Sequence, residues 1–469
     1  MPGPYAPGPD EPPPYGTVRR DRSRPPAPGT VALREEGGRR AGRPVTVPPV
    51  RPGAGARATP GPNHVAESRC SREIPPRRAR QRRAHAPVPS DREGQGLGAV
   101  PCDALPRIPA DTPTPVGRAP PRHGSAPAEG PSRQSRTPST ISLQEVQMTT
   151  PPPPFDPELA AVLADLGDQA PTTATPDDIP AARERLRAEV PLPTNDELSC
   201  GGLFEVRERT VPGPPGAPDV SLLICRPTSV PGPRPIVYFT HPGGMIVGTN
   251  RLGLPLDWAE ELGLVVVSVE YRLAPEHPHP APVEDCYAGL VWTVAHAEEI
   301  GGDPDRLVLA GGSAGGGLAA ALALLARDRK GPRLLGQLLM CPMLDDRNDT
   351  FSAHQMAGLG VWDRTANETG WNALLGERRG TDAVEPYAAP ARAADLSGLP
   401  PAFIDVGSAE TFRDEDVSYA TRIWQAGGSA ELHVWPGGFH GFDGLVPGAA
   451  VSVDAREARL RWLRRLLGE

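Results

Sequence analysis

The stretch LVLAGGSAGGGLAAALALLA, Leu307 to Ala326, constrains this chain more than any other. An apolar run of strand length meets five glycines around one serine, then an alanine- and leucine-rich segment of helix length. Strand, glycine turn and helix in that order serve two chemistries. One cradles a phosphate at the helix N-terminus; the other lifts a nucleophile clear of the backbone. A phosphate cradle requires GxxxxGK[ST] or GxGxxG. The chain's single lysine is Lys330, and the relaxed match Gly315, Gly317, Ala320 falls inside the helix rather than in the turn before it. The acidic residue beyond the next apolar run, Asp345, also comes too late for a ribose contact. The nucleophile reading is met in full, because Gly311-Gly312-Ser313-Ala314-Gly315 is an intact GxSxG between strand and helix. Ser313 must then sit on a strained turn, where side chains two positions to either side would collide.

A serine hydroxyl needs a base, and the base needs an orienting group. After an elbow of this kind the chain order is serine, acid, histidine. Downstream lie His354, His433 and His440. His433 falls within the strand-like AELHVW and reads as a packed histidine, and His354 precedes the acid region. His440 follows WPGGF in a glycine-flanked loop after the last apolar strand, so it is the expected base. For the acid, Glu410 lies in the turn after PAFIDVG. Asp405 sits inside that strand and is expected to pair there, while Asp414 and Glu415 are expected to cap the following helix. The strand PIVYFT runs into His241-Pro242-Gly243-Gly244-Met245. Pro242 has no N–H, so the amides of Gly243 and Gly244, with that of Ala314, are the expected oxyanion donors.

Apolar strands and amphipathic helices alternate from Phe204 onward, which predicts an α/β chain with a mostly parallel sheet and helices on both faces. Reactive groups on such a sheet belong at the carboxyl ends of the strands, where the residues above fall.

Composition divides the chain. Of its 63 prolines, 30 precede position 148, and residues 1–147 carry a net charge of +10 against −18 for the remainder. With few aromatics and no apolar period, residues 1–147 are expected to be disordered. The run RRARQRRAHA could bind nucleic acid or an acidic surface, but the segment is read in preference as upstream sequence outside the native product, with the protein beginning at Met148. The acidic remainder carries no nucleic-acid expectation. Six scattered cysteines without CxxC spacing argue against a disulfide framework or a zinc site. Neither a secretory signal nor an apolar run of spanning length is present, which predicts a cytoplasmic chain.

HPGGM, VEYRLAPEHPHPAPVEDCYAGLVW, GGSAGG, FRDE and the final HGF together resemble the hormone-sensitive-lipase-like carboxylesterases of the α/β-hydrolase fold. The likeness covers about residues 150–469. It implies an eight-stranded, mostly parallel sheet and a helical cap built from about 150–200 and 346–396. It implies a serine carboxylesterase acting on short- to medium-chain acyl esters, with Ser313 as nucleophile, His440 as base and Glu410 as acid. No cofactor or metal is implied, the partner is a small ester, and a homodimer would fit the family. Arg272, Glu276 and Asp285 are implied to make structural contacts. The same triad would also serve an amidase, deacetylase or thioesterase, and a silent small-molecule-binding relative is the reading from another class. Cap residues Met356, Leu359, Trp362 and Trp371 would line an apolar entrance unless they are core. Three departures from the family stand out: Gly312 where an aspartate is usual, Pro242 in the oxyanion loop, and glutamate as the acid.

Overall fold

The computed structural model describes residues 150–166 and 175–469. The segment expected to be disordered and the expected start at Met148 lie outside them. Strands β1 (Phe204–Val211), β2 (Val220–Pro227), β3 (Arg234–Thr240), β4 (Val265–Glu270), β5 (Gly302–Gly312), β6 (Gly336–Met340), β7 (Ala402–Gly407) and β8 (Ala430–Trp435) form one sheet, in the order β1-β2-β4-β3-β5-β6-β7-β8. β2 runs antiparallel to β1 and β4, and the remaining pairs are parallel. This is the α/β-hydrolase sheet that the resemblance implied. β5 begins earlier than its apolar run suggests, because Gly302 pairs with Arg234 ahead of a register shift.

The longer helices are α1 (Pro157–Leu166), α2 (Ile179–Glu189), α3 (Leu256–Leu262), α4 (Ala281–Ala295), α5 (Ala314–Asp328), α6 (Arg364–Leu375), α7 (Arg413–Gln425) and α8 (Ala450–Leu467). The period of two along each strand sends neighbouring side chains into different cores. Ile236, Tyr238, Val267 and Leu309 join the core containing Leu290 of α4 and Leu318 of α5. Val237, Phe239, Val266 and Phe403 join the core beneath Trp258 of α3 and Trp462 of α8. Burial of both sheet faces explains why the central strands read as continuous apolar runs.

α5 is buried from Ala314 to Ala326 and packs on β3, β5 and β6. A helix that is apolar all round belongs inside a protein, and its small residues let its backbone approach the sheet. α1 and α2 lie at two different places. Leu159 of α1 packs with Phe439 and Phe442, beside His440. Arg183 of α2 donates to the carbonyls of Ile246 and Ala274 and forms a two-bond pair with Glu276. Among the described residues, no helix is long and apolar enough to cross a membrane.

Candidate active site

Ser313 occupies the turn between β5 and α5 at φ 56° and ψ −124°, a region that non-glycine residues avoid. Three backbone bonds hold it there. Its N–H donates to Met340 O, while its own carbonyl accepts from Gly317 N–H and Met343 N–H. The neighbouring glycines are needed, but for a reason the motif alone does not reveal. A Cβ on Gly315 would lie 2.0 Å from Thr240 O and 2.6 Å from His241 O; one on Gly311 would lie 2.3 Å from Gly315 O. The collision is thus with the end of β3 and with the elbow's own backbone. Thr240 Oγ adds a hydrogen bond to Gly315 O at 2.6 Å. Gly312 differs: its nearest neighbour would be Met340 Cε at 3.7 Å, an ordinary contact, so this position has room for a side chain.

Glu410 and His440 meet Ser313 from the loops after β7 and β8, at the same carboxyl edge of the sheet. Nε2 of His440 lies 2.9 Å from Ser313 Oγ, and Nδ1 lies 2.5 Å from Glu410 Oε1. A carboxylate can only accept, so Nδ1 carries the proton and Nε2 is left free to accept from the hydroxyl. Glu410 is fully buried, and its second oxygen accepts the Gly407 N–H at 3.2 Å. The loops that carry the acid and the base are stitched together. Ala409 N–H donates to Gly438 O and Ser408 N–H to Trp435 O, while a Cβ on Gly407 would lie 2.0 Å from Gly438 O. This close fit explains the glycines before both residues.

The loop after β3 passes through left-handed conformations at Gly243 and Gly244, with φ 130° and 60°. Among the described residues, the amides of Gly243, Gly244 and Ala314 donate to no acceptor. His241 explains part of this. Its ring is buried, lies parallel to Tyr271 at 4.0 Å, and its Nδ1–H donates to Pro242 O at 2.9 Å. Carbonyl and N–H point oppositely across a trans peptide, so pinning Pro242 O turns the Gly243 N–H away from His241. Burial holds the His241 imidazole down to about 4, which keeps it neutral.

The other sequence candidates lie elsewhere. Asp405 accepts from Arg459 at 2.8 Å and from Trp435 Nε1 at 3.0 Å, pairing inside the fold as expected. His433 stacks against Phe403 and Trp435, and His354 meets Asp349 on the surface. Asp414 and Glu415 do not cap α7. Asp414 and buried Glu415 stand in its first turn, but Asp414 accepts the Ser352 N–H and Glu415 those of Leu344 and Asp345, all from neighbouring segments. Arg272 and Asp285 form a two-bond pair at 2.7 Å. Of the four cap residues singled out, Trp371 and Met356 are core.

Trp362, Phe412 and Cys341 complete the surroundings. The Trp362 ring covers Gly244, where a Cβ would come within 2.3 Å of it, and lies 6.3 Å from the His440 ring. Its carbonyl accepts from Thr411 beside Glu410 at 2.9 Å. Phe412 presents its edge to His440 at 5.1 Å. Cys341 lies so near that its sulfur, a Glu410 oxygen and a His440 nitrogen are all within 4.8 Å of one another. No spacing rule joins residues drawn from three loops. A hollow of about 490 Å³ lined by Arg183, Gly248, Glu270 and Tyr271 lies apart from Ser313 and His440. The chemistry, rather than the concavity, marks the site.

Residues 236–444 match the α/β-hydrolase-fold family model Abhydrolase_3. The carboxylesterase NlhH of Mycobacterium tuberculosis is 37% identical over 333 residues, covering 66% of this chain and 97% of that protein. Human hormone-sensitive lipase is 39% identical over 103 residues, 22% of this chain and 10% of that one. Among solved structures, a bacterial heroin esterase is similar with a TM-score of 0.61 and 40% identity, covering 67% of this chain and 98% of that one.

Proposed function

This chain belongs to the hormone-sensitive-lipase-like carboxylic ester hydrolases of the α/β-hydrolase fold, and from that premise we propose that Ser313, His440 and Glu410 hydrolyse short- to medium-chain acyl esters through an acyl-enzyme. The observation that carries this reading is the unbroken line from Ser313 Oγ through both His440 nitrogens to Glu410 Oε1. In the first half-reaction Ser313 Oγ attacks the ester carbonyl carbon while its proton passes to His440 Nε2. Negative charge gathers on the carbonyl oxygen, which accepts hydrogen bonds from the amides of Gly243, Gly244 and Ala314; each such donor is worth about 3–4 kcal/mol in the transition state. Collapse expels the alcohol, which takes the proton from Nε2. Water then repeats the sequence on the acyl-serine, giving the acid and restoring Ser313. Glu410 stays ionised throughout, fixing the tautomer and stabilising the imidazolium.

The segments 150–200 and 346–396 act as the cap in this reading. The support is that α1 packs at the His440 loop, α2 binds the carbonyl of Ile246, and Trp362 covers Gly244. Trp362 and Phe412 hem in His440, which favours compact acyl groups over long ones. The test is hydrolysis of p-nitrophenyl acetate, butyrate, octanoate and palmitate, alongside anilide and thioester analogues. Ser313→Ala should remove turnover, and the wild type should prefer acetate to octanoate over palmitate. Turnover kept in Ser313→Ala, or confined to palmitate or the anilide, would contradict the reading.

A further inference from the structure

We propose that Cys341, Glu410 and His440 form an inhibitory site for a thiophilic divalent cation such as Zn²⁺ or Cd²⁺, which shuts the enzyme by taking apart its own acid–base pair. The inference rests on the proposed roles of His440 and Glu410, and it adds a residue and a ligand that those roles do not include. Its basis is a coincidence of donors. One sulfur, one imidazole nitrogen and one carboxylate oxygen lie mutually within 4.8 Å, the one such group among the described residues. Donors sharing a tetrahedral Zn²⁺ stand roughly 3.3–3.8 Å apart, so the sulfur need approach by no more than about 1.5 Å, while Nδ1 of His440, 2.5 Å from Glu410 Oε1, would have to part from that oxygen by roughly 1 Å. A thiolate with an imidazole suits zinc and cadmium and is a poor match for the hard, oxygen-seeking Mg²⁺ and Ca²⁺.

The backbone explains why the thiol is there. Cys341 sits immediately after β6 at φ 36°, and its N–H donates to Asp405 O at 2.6 Å. It therefore turns at the carboxyl end of the sheet, between the strand that leads to Glu410 and the turn that supports Ser313. Burial and the nearby Glu410 carboxylate push the thiol well above its ordinary range. Cys341 is accordingly a protonated neighbour when metal is absent, and the proposed triad works beside it undisturbed.

On binding, the thiol S–H bond breaks, its proton leaves to solvent, and a metal–sulfur bond forms. The carboxylate oxygen and an imidazole nitrogen each give a lone pair to the cation. Coordination at Nε2 removes the acceptor for Ser313 Oγ; coordination at Nδ1 removes the hydrogen bond to Glu410 and moves the ring proton to Nε2. Either way the general base is lost.

The experiment uses the full chain with Zn²⁺ and Cd²⁺, and Mg²⁺ as the hard-ion control, on the wild type and Cys341→Ser. Serine keeps the size of the side chain and removes the soft donor. Hydrolysis of p-nitrophenyl butyrate reads inhibition, and the ultraviolet cadmium–thiolate charge-transfer band reads binding independently of turnover. The expected result is reversible inhibition by Zn²⁺ and Cd²⁺, relieved by EDTA and absent with Mg²⁺. In Cys341→Ser the half-inhibitory concentration should rise about tenfold or more, a loss typical even of residues that merely support a ligand. The wild-type band should vanish in the same variant. Equal inhibition of both proteins, or a band that persists in Cys341→Ser, would overturn the proposal. Should the wild type hydrolyse nothing, the ester hydrolase reading fails, and the band alone still decides whether the cation site exists.

Discussion

The two halves of the site are held by different physics. On the Ser313 side, position comes from the backbone: glycines 311 and 315 leave no space for a Cβ, and Thr240 ties the elbow to β3. On the Glu410 side the backbone also fixes the loops, through Gly407 and the bonds to Trp435 and Gly438, but it does so amid a cluster of buried acids. Glu410, Glu415, Asp416 and Asp405 are all buried near one another, and Arg459 is the cation set against Asp405. Glu415 and Asp416 are pushed well above the usual carboxylate range, first by burial and then by neighbouring carboxylates. The difference teaches that the Ser313 side should fail sterically and, through His241, toward acid pH, whereas the Glu410 side should fail toward alkaline pH.

The largest expected effect is Glu410→Gln. It keeps the shape but leaves one acceptor oxygen for two donors; with that oxygen on the Gly407 N–H, the amide NH2 faces Nδ1 and imposes the wrong tautomer, so kcat/KM should drop by about 10³–10⁴ while thermal stability changes little. Asp405→Asn tests the same half differently. It weakens the buried pair with Arg459, which should cost about 3–5 kcal/mol, and the molecules that remain folded should keep their turnover. A collapse of kcat with unchanged stability in Asp405→Asn would move the acid. Next comes Gly315→Ala, whose methyl would overlap the carbonyl oxygen of Thr240. Denaturant unfolding should show a loss of about 3 kcal/mol or more, the upper range for overpacking.

The comparison sharpens with pH. His241 is buried with its pKa depressed from 6.5 to about 4, so its unfolded form binds protons more readily. Its contribution is complete above about pH 6.5 and is lost as pH falls toward 4, about 3 kcal/mol in all. Asp416 has the opposite sign. Its raised folded pKa means that stability is full below its unfolded pKa and is lost as pH rises through the folded one. Asp416→Asn should therefore flatten the alkaline limb of the stability profile and leave the acid limb intact; an unchanged alkaline limb would break the account of that half. The smallest effect is Gly312→Ala, within about 0.5 kcal/mol and with turnover kept, because its methyl meets only Met340, at 3.7 Å or more.

Much of this was legible in the sequence for stated reasons. Continuous apolar runs of strand length marked the buried parallel sheet, and the glycine pattern around Ser313 marked the elbow. His440 and Glu410 could be chosen because each follows a strand, and Asp405 could be set aside because it lies inside one. The capping bonds expected of Asp414 and Glu415 are not made, although both stand in the first turn, since a local rule about helix ends could not foresee the amides of Leu344, Asp345 and Ser352 brought there by the fold. Cys341 was illegible as a site neighbour, and Trp362 was legible only as one of four cap residues that would line an entrance. Each reaches the site through a loop whose path depends on tertiary packing, with no periodicity to reveal it. The steric reason for Gly311 and Gly315 was half visible: the motif announced a tight turn, but only the fold identifies Thr240 as what stands in the way.

The most direct measurement of the central claim is intact-mass and peptide analysis after reaction with a fluorophosphonate. The account predicts one phosphonyl adduct per chain, carried by Ser313, formed quickly in the wild type and much more slowly in Glu410→Gln. An unmodified wild-type protein, an adduct on another residue, or equal rates in the two proteins would contradict it.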